Sequence, residues 1–459
     1  MRRIFSPNVL WVCVALFGVI FLGVLVGMVG DNRRVLALIV SSFGLLMIVL
    51  ISKRSKFGLL ALSIPLSLLR IPTLPALGFS LSGIILMALT ADELLRAFSG
   101  HGMNGKPLKP GMLISFGLFA FAGLITALVS GELHLWPNYF LIPFLWLFLS
   151  SKKILNQKEA WLLIKLSLLT ILGFIAIATW ANLTGHFKSL AIGSTDSSWR
   201  FGYGYLVKLG PIQLTIWATF LGSIAALGFP ACILLWIEKK GERWWRMGAL
   251  FILAGLGSTL FFAAARGAIV GAFAGSLLAI LASGKLLSPK LLGAFALLLV
   301  VVAIWGTTFL EMLPEQNILR IQTILQGTQQ DLNFQIRKGA LELAWKLTLQ
   351  NPLGVGFGYL WNTYGIDDAI IYANILEGSG ILGSIAFLMI VVQLAFKFVL
   401  IIIKSSVGFI RDFASIGLGT LIVGLVAGIS SQSILFEPVH SFVFWAIIMA
   451  AYHGVKSQD

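Results

Sequence analysis

The sequence predicts an all-α polytopic membrane protein of 12–14 transmembrane helices, with one large extracytoplasmic loop that contains an amphipathic helix. Three observations predict it. The chain is 58% hydrophobic and only 11% charged, with a mean hydropathy of +0.95, whereas soluble domains carry about 25% charge. Apolar runs of roughly 20 residues, the length of one bilayer crossing, recur along the whole chain. The basic residues lie between those runs, where they act as topology signals. The net charge of +15 is therefore not read as nucleic-acid binding. A single integral membrane domain over 1–459 follows, with no cytoplasmic segment large enough to bind a nucleotide.

Cut at charged or turn-rich breaks, the runs fall at 9–29, 35–51, 57–71, 74–90, 111–130, 137–151, 160–181, 211–237, 247–264, 266–283, 290–309, 379–403, 413–430 and 437–453. The stretches 57–90 and 247–283 can each be read as one span plus a re-entrant piece, which sets the lower count. Met1-Arg-Arg before the first run resembles a signal peptide. The run from Val9 to Val29 is long enough to span, however, and its end lacks a small-residue cleavage site, so it is read as an uncleaved first helix. Cys13 and Cys232 both sit inside apolar runs, which gives neither a disulfide framework nor a thiolate metal site. The five histidines are not spaced as metal ligands, and no metal or cofactor is expected.

Orientation follows from lysine and arginine. With the N-terminus inside, well over half of the 33 basic residues fall in short inner segments, among them Arg2, Arg3, Lys53, Arg54, Lys152, Lys153, Lys239 and Lys240. Both termini are then cytoplasmic, and the loops 182–210 and 310–378 face the other side. More than half of the 18 acidic residues also fall outside. The outer face is mixed in charge and rich in aromatics, which suits a ligand with sugars and phosphate. Ordinary solvated loop charge is the plainer reading.

The stretch Glu311–Gly383 is the long polar interruption in this pattern. Asp331 is placed to cap a helix. Leu332, Ile336, Ala340, Leu343 and Leu347 recur as one apolar stripe, and Lys338, Glu342 and Lys346 fall four apart and can pair along another face. Arg337 sits between the two. Pro352 and the glycines after it end the helix. Such a helix lies on the membrane or caps a cavity. The turn Asn351-Pro-Leu-Gly-Val-Gly-Phe-Gly358 is not a dinucleotide fingerprint, because no βαβ unit surrounds it. Close backbone approach to a ligand, or a tight turn, remains.

Two constellations carry candidate chemistry. Arg200, Arg266 and Arg337 are extracytoplasmic guanidiniums, always charged and able to grip phosphate oxygens in pairs. Arg266 interrupts a long apolar stretch and marks the outer hairpin tip between two spans; an arginine at membrane depth is costly and a functional candidate by default. The carboxylates Asp368 and Glu377 stand near the membrane interface. Either could act as general base for a sugar hydroxyl, or cap a helix. Glu437 and His440, at the outer start of the last span, are weaker candidates.

Together these residues resemble the O-antigen ligase and O-antigen polymerase superfamily, integral membrane glycosyltransferases related to the GT-C class. The resemblance rests on Arg266-Gly267 at the outer end of a span, the large loop with an arginine helix leading into Asn351–Gly358, and Asn374-Ile-Leu-Glu-Gly-Ser-Gly-Ile-Leu-Gly383. It implies transfer of a glycan from an undecaprenyl pyrophosphate carrier to an acceptor hydroxyl, with inversion and without metal, outside the bacterial cytoplasmic membrane. The acceptor glycan or glycolipid is lipid A core for a ligase and another lipid-linked repeat unit for a polymerase. Other polysaccharide assembly proteins are further expected partners. In the implied site, Arg200, Arg266 and Arg337 hold the pyrophosphate. Ligases of the family usually place a histidine directly before the asparagine matching Asn374. Here Ala373 stands there, which favours a polymerase and passes the base role to Glu377 or Asp368. A glycolipid flippase or anion transporter is the alternative, with Arg266 and the broken apolar runs lining a pathway; Lys165 is the main further charge within a span. A non-catalytic scaffold is the third reading.

Overall fold

The computed structural model describes residues 56–68, 81–98, 110–131, 136–151, 157–184, 188–189, 205–209, 212–216, 218–237, 243–263, 265–285, 288, 332–366, 370–405, 407–429, 431 and 433–456. Among them the chain is a helical bundle. Inside a bilayer each backbone N–H and C=O has to find its partner within the protein, and helices do this segment by segment. Six of the described helices are long and apolar enough to cross a membrane: Gly111–Ser130, Gln157–Trp180, Thr219–Ile237, Arg266–Ser283, Ile371–Lys404 and Gly408–Ala427. Shorter apolar helices lie at Phe57–Leu66, Tyr139–Leu149 and Val439–Val455. The protein is thus an all-α, multi-pass membrane protein. The expected spans 9–29, 35–51 and 290–309 lie outside the described residues.

Several expected elements change in detail. The stretch 57–90 contains two helices, Lys56–Leu66 and Leu81–Phe98. The first has 11 residues; at about 1.5 Å per residue it reaches only roughly half of a hydrocarbon core about 30 Å thick. The run expected as a span from 211 begins instead as a strand. Ile212–Ile216 pairs antiparallel with Tyr205–Leu209, and Lys188–Ser189 adds to the other edge of this small sheet. The reason is legible afterwards. Gly210-Pro211 is a turn dipeptide, and Ile212, Thr215, Ile216, Tyr205 and Val207 are strand formers. Helix resumes at Ala218–Ile237.

The last helix, Pro438–Lys456, is the centre of the bundle. Phe442, Val443, Phe444, Trp445, Ala446, Ile447, Ile448, Met449, Ala450, Ala451 and Tyr452 are buried in unbroken succession. A helix that is apolar on every side and covered on every side is an interior element. Its aromatics interlock with neighbouring helices: Trp445 meets Phe116 edge-on and Phe442 meets Trp146 edge-on. By contrast Ile371–Lys404 shows a lipid-ready stripe, with Leu382, Ile385, Leu388, Val392 and Phe396 exposed.

The tightest helix pair is Arg266–Ser283 against Gly408–Ala427, and small residues make it possible. A Cβ added at Gly275 would stand 2.5 Å from the Gly419 carbonyl oxygen, and one at Gly271 would stand 3.2 Å from the Ala427 nitrogen. Gly271 facing Ala427 and Gly275 facing Gly419 fixes the pair as antiparallel. Its far end is locked by charge. Gly284 closes the Arg266–Ser283 helix in the left-handed region, φ 71. Lys285 Nζ then lies 2.5 Å from Asp412 Oδ2, and Arg411 Nε donates to the Ala282 carbonyl at 2.5 Å. The arginine thus meets the negative end of the helix dipole.

This pair can be tested at both ends. Asp412→Ala removes the carboxylate partner of Lys285 and is expected to lower unfolding free energy in micelles by about 1–3 kcal/mol, below the full cost of a broken buried pair because Lys285 is partly solvated. Gly275→Leu is expected to separate the two helices, seen as loss of the folded monodisperse species; a G275L variant with wild-type melting temperature would refute the packing argument.

Candidate functional site

The site region is built around an exchange of backbone hydrogen bonds. Helix Leu332–Gln350 ends where Pro352 denies it a donor; Asn351 N–H still reaches the Leu347 carbonyl at 2.8 Å, and Gly354 N–H turns back to the Asn351 carbonyl at 2.8 Å. The next glycines run along another helix. In Ile371–Lys404 the backbone breaks at Gly380, φ 63 and ψ −162, a region essentially reserved for glycine. An unbroken helix would pair the Glu377 carbonyl with the Ile381 N–H. Here Ile381 N–H donates to the Pro352 carbonyl at 2.9 Å, and the Glu377 carbonyl accepts from Val355 N–H at 2.9 Å and Gly356 N–H at 3.0 Å. Thr126 Oγ1 closes the arrangement by donating to the Leu353 carbonyl.

This adds a partner that neither reading of the glycine turn included. The close backbone approach is to the chain's own broken helix. A Cβ at Gly354, φ 94, would stand 2.6 Å from the Glu377 carbonyl oxygen and 3.0 Å from the Gly380 nitrogen. A Cβ at Gly380 would overlap the Pro352 carbonyl.

Glu377 has a second task. Its side chain is wholly buried, and Oε2 accepts from the Leu360 N–H at 3.0 Å. Leu360 lies in the first turn of the short helix Tyr359–Tyr364, whose N-cap is Gly358, with no side-chain cap of its own. Helix starts leave N–H groups without intrahelical acceptors, and a carboxylate there also suits the dipole. Of the two roles the sequence left open for Glu377, base or cap, the geometry displays a cap, and for a different helix from its own.

The helix before the turn is amphipathic, as expected, but its packed face is rotated from the expected stripe. Ala340, Ala344 and Leu347 are buried against Leu360, Ile370, Ala373 and Leu376, while Ile336 is 41% exposed. The two alanines let the neighbouring backbone come close, and so decide the contact face. Arg337 lies on this face, one turn before Ala340, and is half-buried. Leu341, Trp345 and Leu349, each four apart, stay exposed as a second apolar stripe. Lys338 and Glu342 pair at 3.8 Å on the solvated side.

Position 373 is instructive. Ala373 is wholly buried in the apolar contact, and Asn374 Nδ2 donates to the Ile370 carbonyl at 3.0 Å. The start of this helix is pinned to the end of Gly408–Ala427: Ile371 N–H donates to the Gly428 carbonyl at 3.0 Å and Tyr372 Oη to the Leu425 carbonyl at 2.8 Å.

Because Gly408–Ala427 runs antiparallel to Arg266–Ser283, the Arg266 turn lies at this same end of the bundle. Arg266 is the first residue of its helix and half-buried, and Ala265 at the N-cap makes no side-chain cap bond. The turn is pressed onto Gly222, where a Cβ would stand 2.5 Å from the Ala265 Cβ. Two residues earlier, His440 Nε2–H donates to the Phe220 carbonyl at 2.7 Å, with the rings of Phe174 and Phe220 edge-on to the imidazole. One end therefore gathers Arg266, His440, Glu377 and the packed side of the Arg337 helix. The opposite end holds Lys285, Arg411 and Asp412. Arg200 and Asp368 lie outside the described residues. Sequence reading did not find Gly222, Thr126 or the break at Gly380; in each case the signal is a small residue in an apolar run, which carries no chemical label.

No protein-family model matches this chain, and no curated protein matches it either.

The glycines give a graded test. Gly380→Ala is expected to destabilise the protein by more than about 3 kcal/mol, because a forbidden backbone region adds to an overlap with Pro352. Gly365→Ala, also left-handed at φ 66 but with nothing within 4 Å of the added atom, should cost only about 1 kcal/mol. Thermal melts in detergent compare the two, and equal losses would show that this hydrogen-bonded knot of loop 351–356 on the helix broken at Gly380 is not the constraint.

Proposed function

We propose that this protein is a membrane glycosyltransferase of the O-antigen polymerase and ligase type, moving a glycan from an undecaprenyl pyrophosphate carrier to an acceptor hydroxyl. The observation that carries the reading is the knot. The two halves of the resembling pattern, Asn351–Gly358 and Asn374–Gly383, are one hydrogen-bonded unit, at the end of the bundle that also bears Arg266. That gives distant stretches of sequence one local purpose.

In this reading Arg266 and Arg337, with Arg200 from the 182–210 loop, receive the pyrophosphate. Arg266 adds the start of an 18-residue helix whose dipole favours an anion. The acceptor oxygen attacks the anomeric carbon, the bond from that carbon to the pyrophosphate oxygen breaks, and the electron pair leaves with the lipid diphosphate. Fixed guanidiniums facing that departing charge lower the barrier. The hydroxyl proton passes to a base; of the two carboxylates the sequence offers for it, Asp368 and Glu377, Glu377 already caps the Tyr359–Tyr364 helix. Ala373 in the place of the ligases' histidine favours the polymerase form, with another lipid-linked repeat unit as acceptor. The setting is the bacterial cytoplasmic membrane, with both termini inside and the 310–378 loop outside, among other polysaccharide assembly proteins.

The test is chain growth by purified protein in liposomes supplied with lipid-linked repeat unit. Arg266→Ala is expected to cut the rate by about 100- to 1,000-fold, the usual scale for one lost charge-stabilising group, with the melting temperature held. Long chains made at wild-type rate by the R266A variant would end this proposal.

A further inference from the structure

Resting on the reading above, we infer that Glu377 is a positioning residue for Arg337, and that the proton acceptor is another group. Glu377 grips the segment that follows the Arg337 helix at two points. Its carbonyl holds the N–H groups of Val355 and Gly356, five and six residues after the helix end at Gln350. Its carboxylate holds the Leu360 N–H. Leu360 is wholly buried and packs in the same cluster as Ala340, Ala344 and Leu347, the face that carries Arg337. The carboxylate thus fixes the short helix Tyr359–Tyr364, that helix fixes Leu360, and Leu360 fixes the roll of the Arg337 helix.

The geometry also argues against proton transfer. A general base has to come within about 2.6–3.2 Å of the hydroxyl it deprotonates. Glu377 has no exposed surface, and one of its carboxylate oxygens is directed at a main-chain amide of its own chain. What that amide needs is an acceptor oxygen, which glutamine supplies as well as glutamate.

The two roles separate cleanly. E377Q, E377A, R337A and E377A/R337A are compared for initial rate on lipid-linked repeat unit across pH, alongside hydrogen exchange of the peptide covering 351–366. A positioning role predicts that E377Q keeps the rate within about fivefold, with an unchanged pH profile. E377A should lose activity, exchange the Leu360 amide faster, and be no worse when combined with R337A, since partners in one pathway are non-additive. If E377Q is as inactive as E377A and the basic limb of the pH profile disappears, Glu377 is the base and the inference is wrong. Multiplying losses in the double variant would equally overturn it. If E377A does not fold, the rate and pH profile of E377Q decide alone. R337A at full rate would instead strike the pyrophosphate reading, while the exchange data would still judge the clamp.

Discussion

The fold at the site depends on one trade of hydrogen bonds. A membrane-crossing helix gives up its own Glu377–Ile381 pairing, and the loop 351–358 supplies both missing partners. Both main-chain groups freed from that pairing, the Glu377 carbonyl and the Ile381 N–H, find new partners, as irregular backbone inside a membrane protein requires. The trade needs two strands of main chain at contact distance. That explains why glycine stands at both 354 and 380, and why neither tolerates an added carbon. The Thr126 hydroxyl, offered to the Leu353 carbonyl, ties the same point to a third helix.

From this trade the surrounding arrangement follows. The break sets where the loop lies, the loop sets where the Arg337 helix ends, and the cluster around Leu360 sets which face of that helix is turned inward. On the other side, Ile371 and Tyr372 fasten the same element to the end of Gly408–Ala427. That helix in turn holds Arg266–Ser283 through glycine contacts. Two arginines far apart in sequence are thereby carried by a single packed frame. The frame is anchored at its far end by the Lys285–Asp412 pair, so one end of the bundle is tied by charge and the other is held by backbone and small residues.

The broad outline was legible because hydropathy and charge placement act over whole segments. A run of about twenty apolar residues has few destinations, and the amphipathic helix after 331 announced itself through residues four apart. The small sheet was missed because apolar composition outweighed the strand formers Tyr205, Val207, Ile212, Thr215 and Ile216. The loop-helix stripe was rotated because the sequence pattern weights large residues, whereas close packing selected Ala340 and Ala344. Glu377 shows the limit most clearly. Its type and its place near an interface suggested reactivity, and nothing in the linear order tells that Leu360, seventeen residues earlier, presents the N–H it accepts. Partners brought together by a chain reversal are not written in local pattern.

The cations within the spans bear on how the bundle uses charge. Lys165 Nζ lies 4.5 Å from the Trp245 ring centre, and Lys397 Nζ lies 3.5 Å from that of Tyr452. An ammonium over an aromatic face is partly compensated without water, and its long stem reaches along apolar surface to get there. These two lysines are therefore absorbed by packing, although by position alone they look like steps of an ion path. Arg266 is placed differently, at a helix start with the dipole behind it and small residues below it. A transport route would ask for charges spaced through the depth of the bundle; here the lysines are held on rings, and the arginine stands at one end beside the knotted loop. Among the described residues, that placement of cations suits the proposed transfer at a boundary.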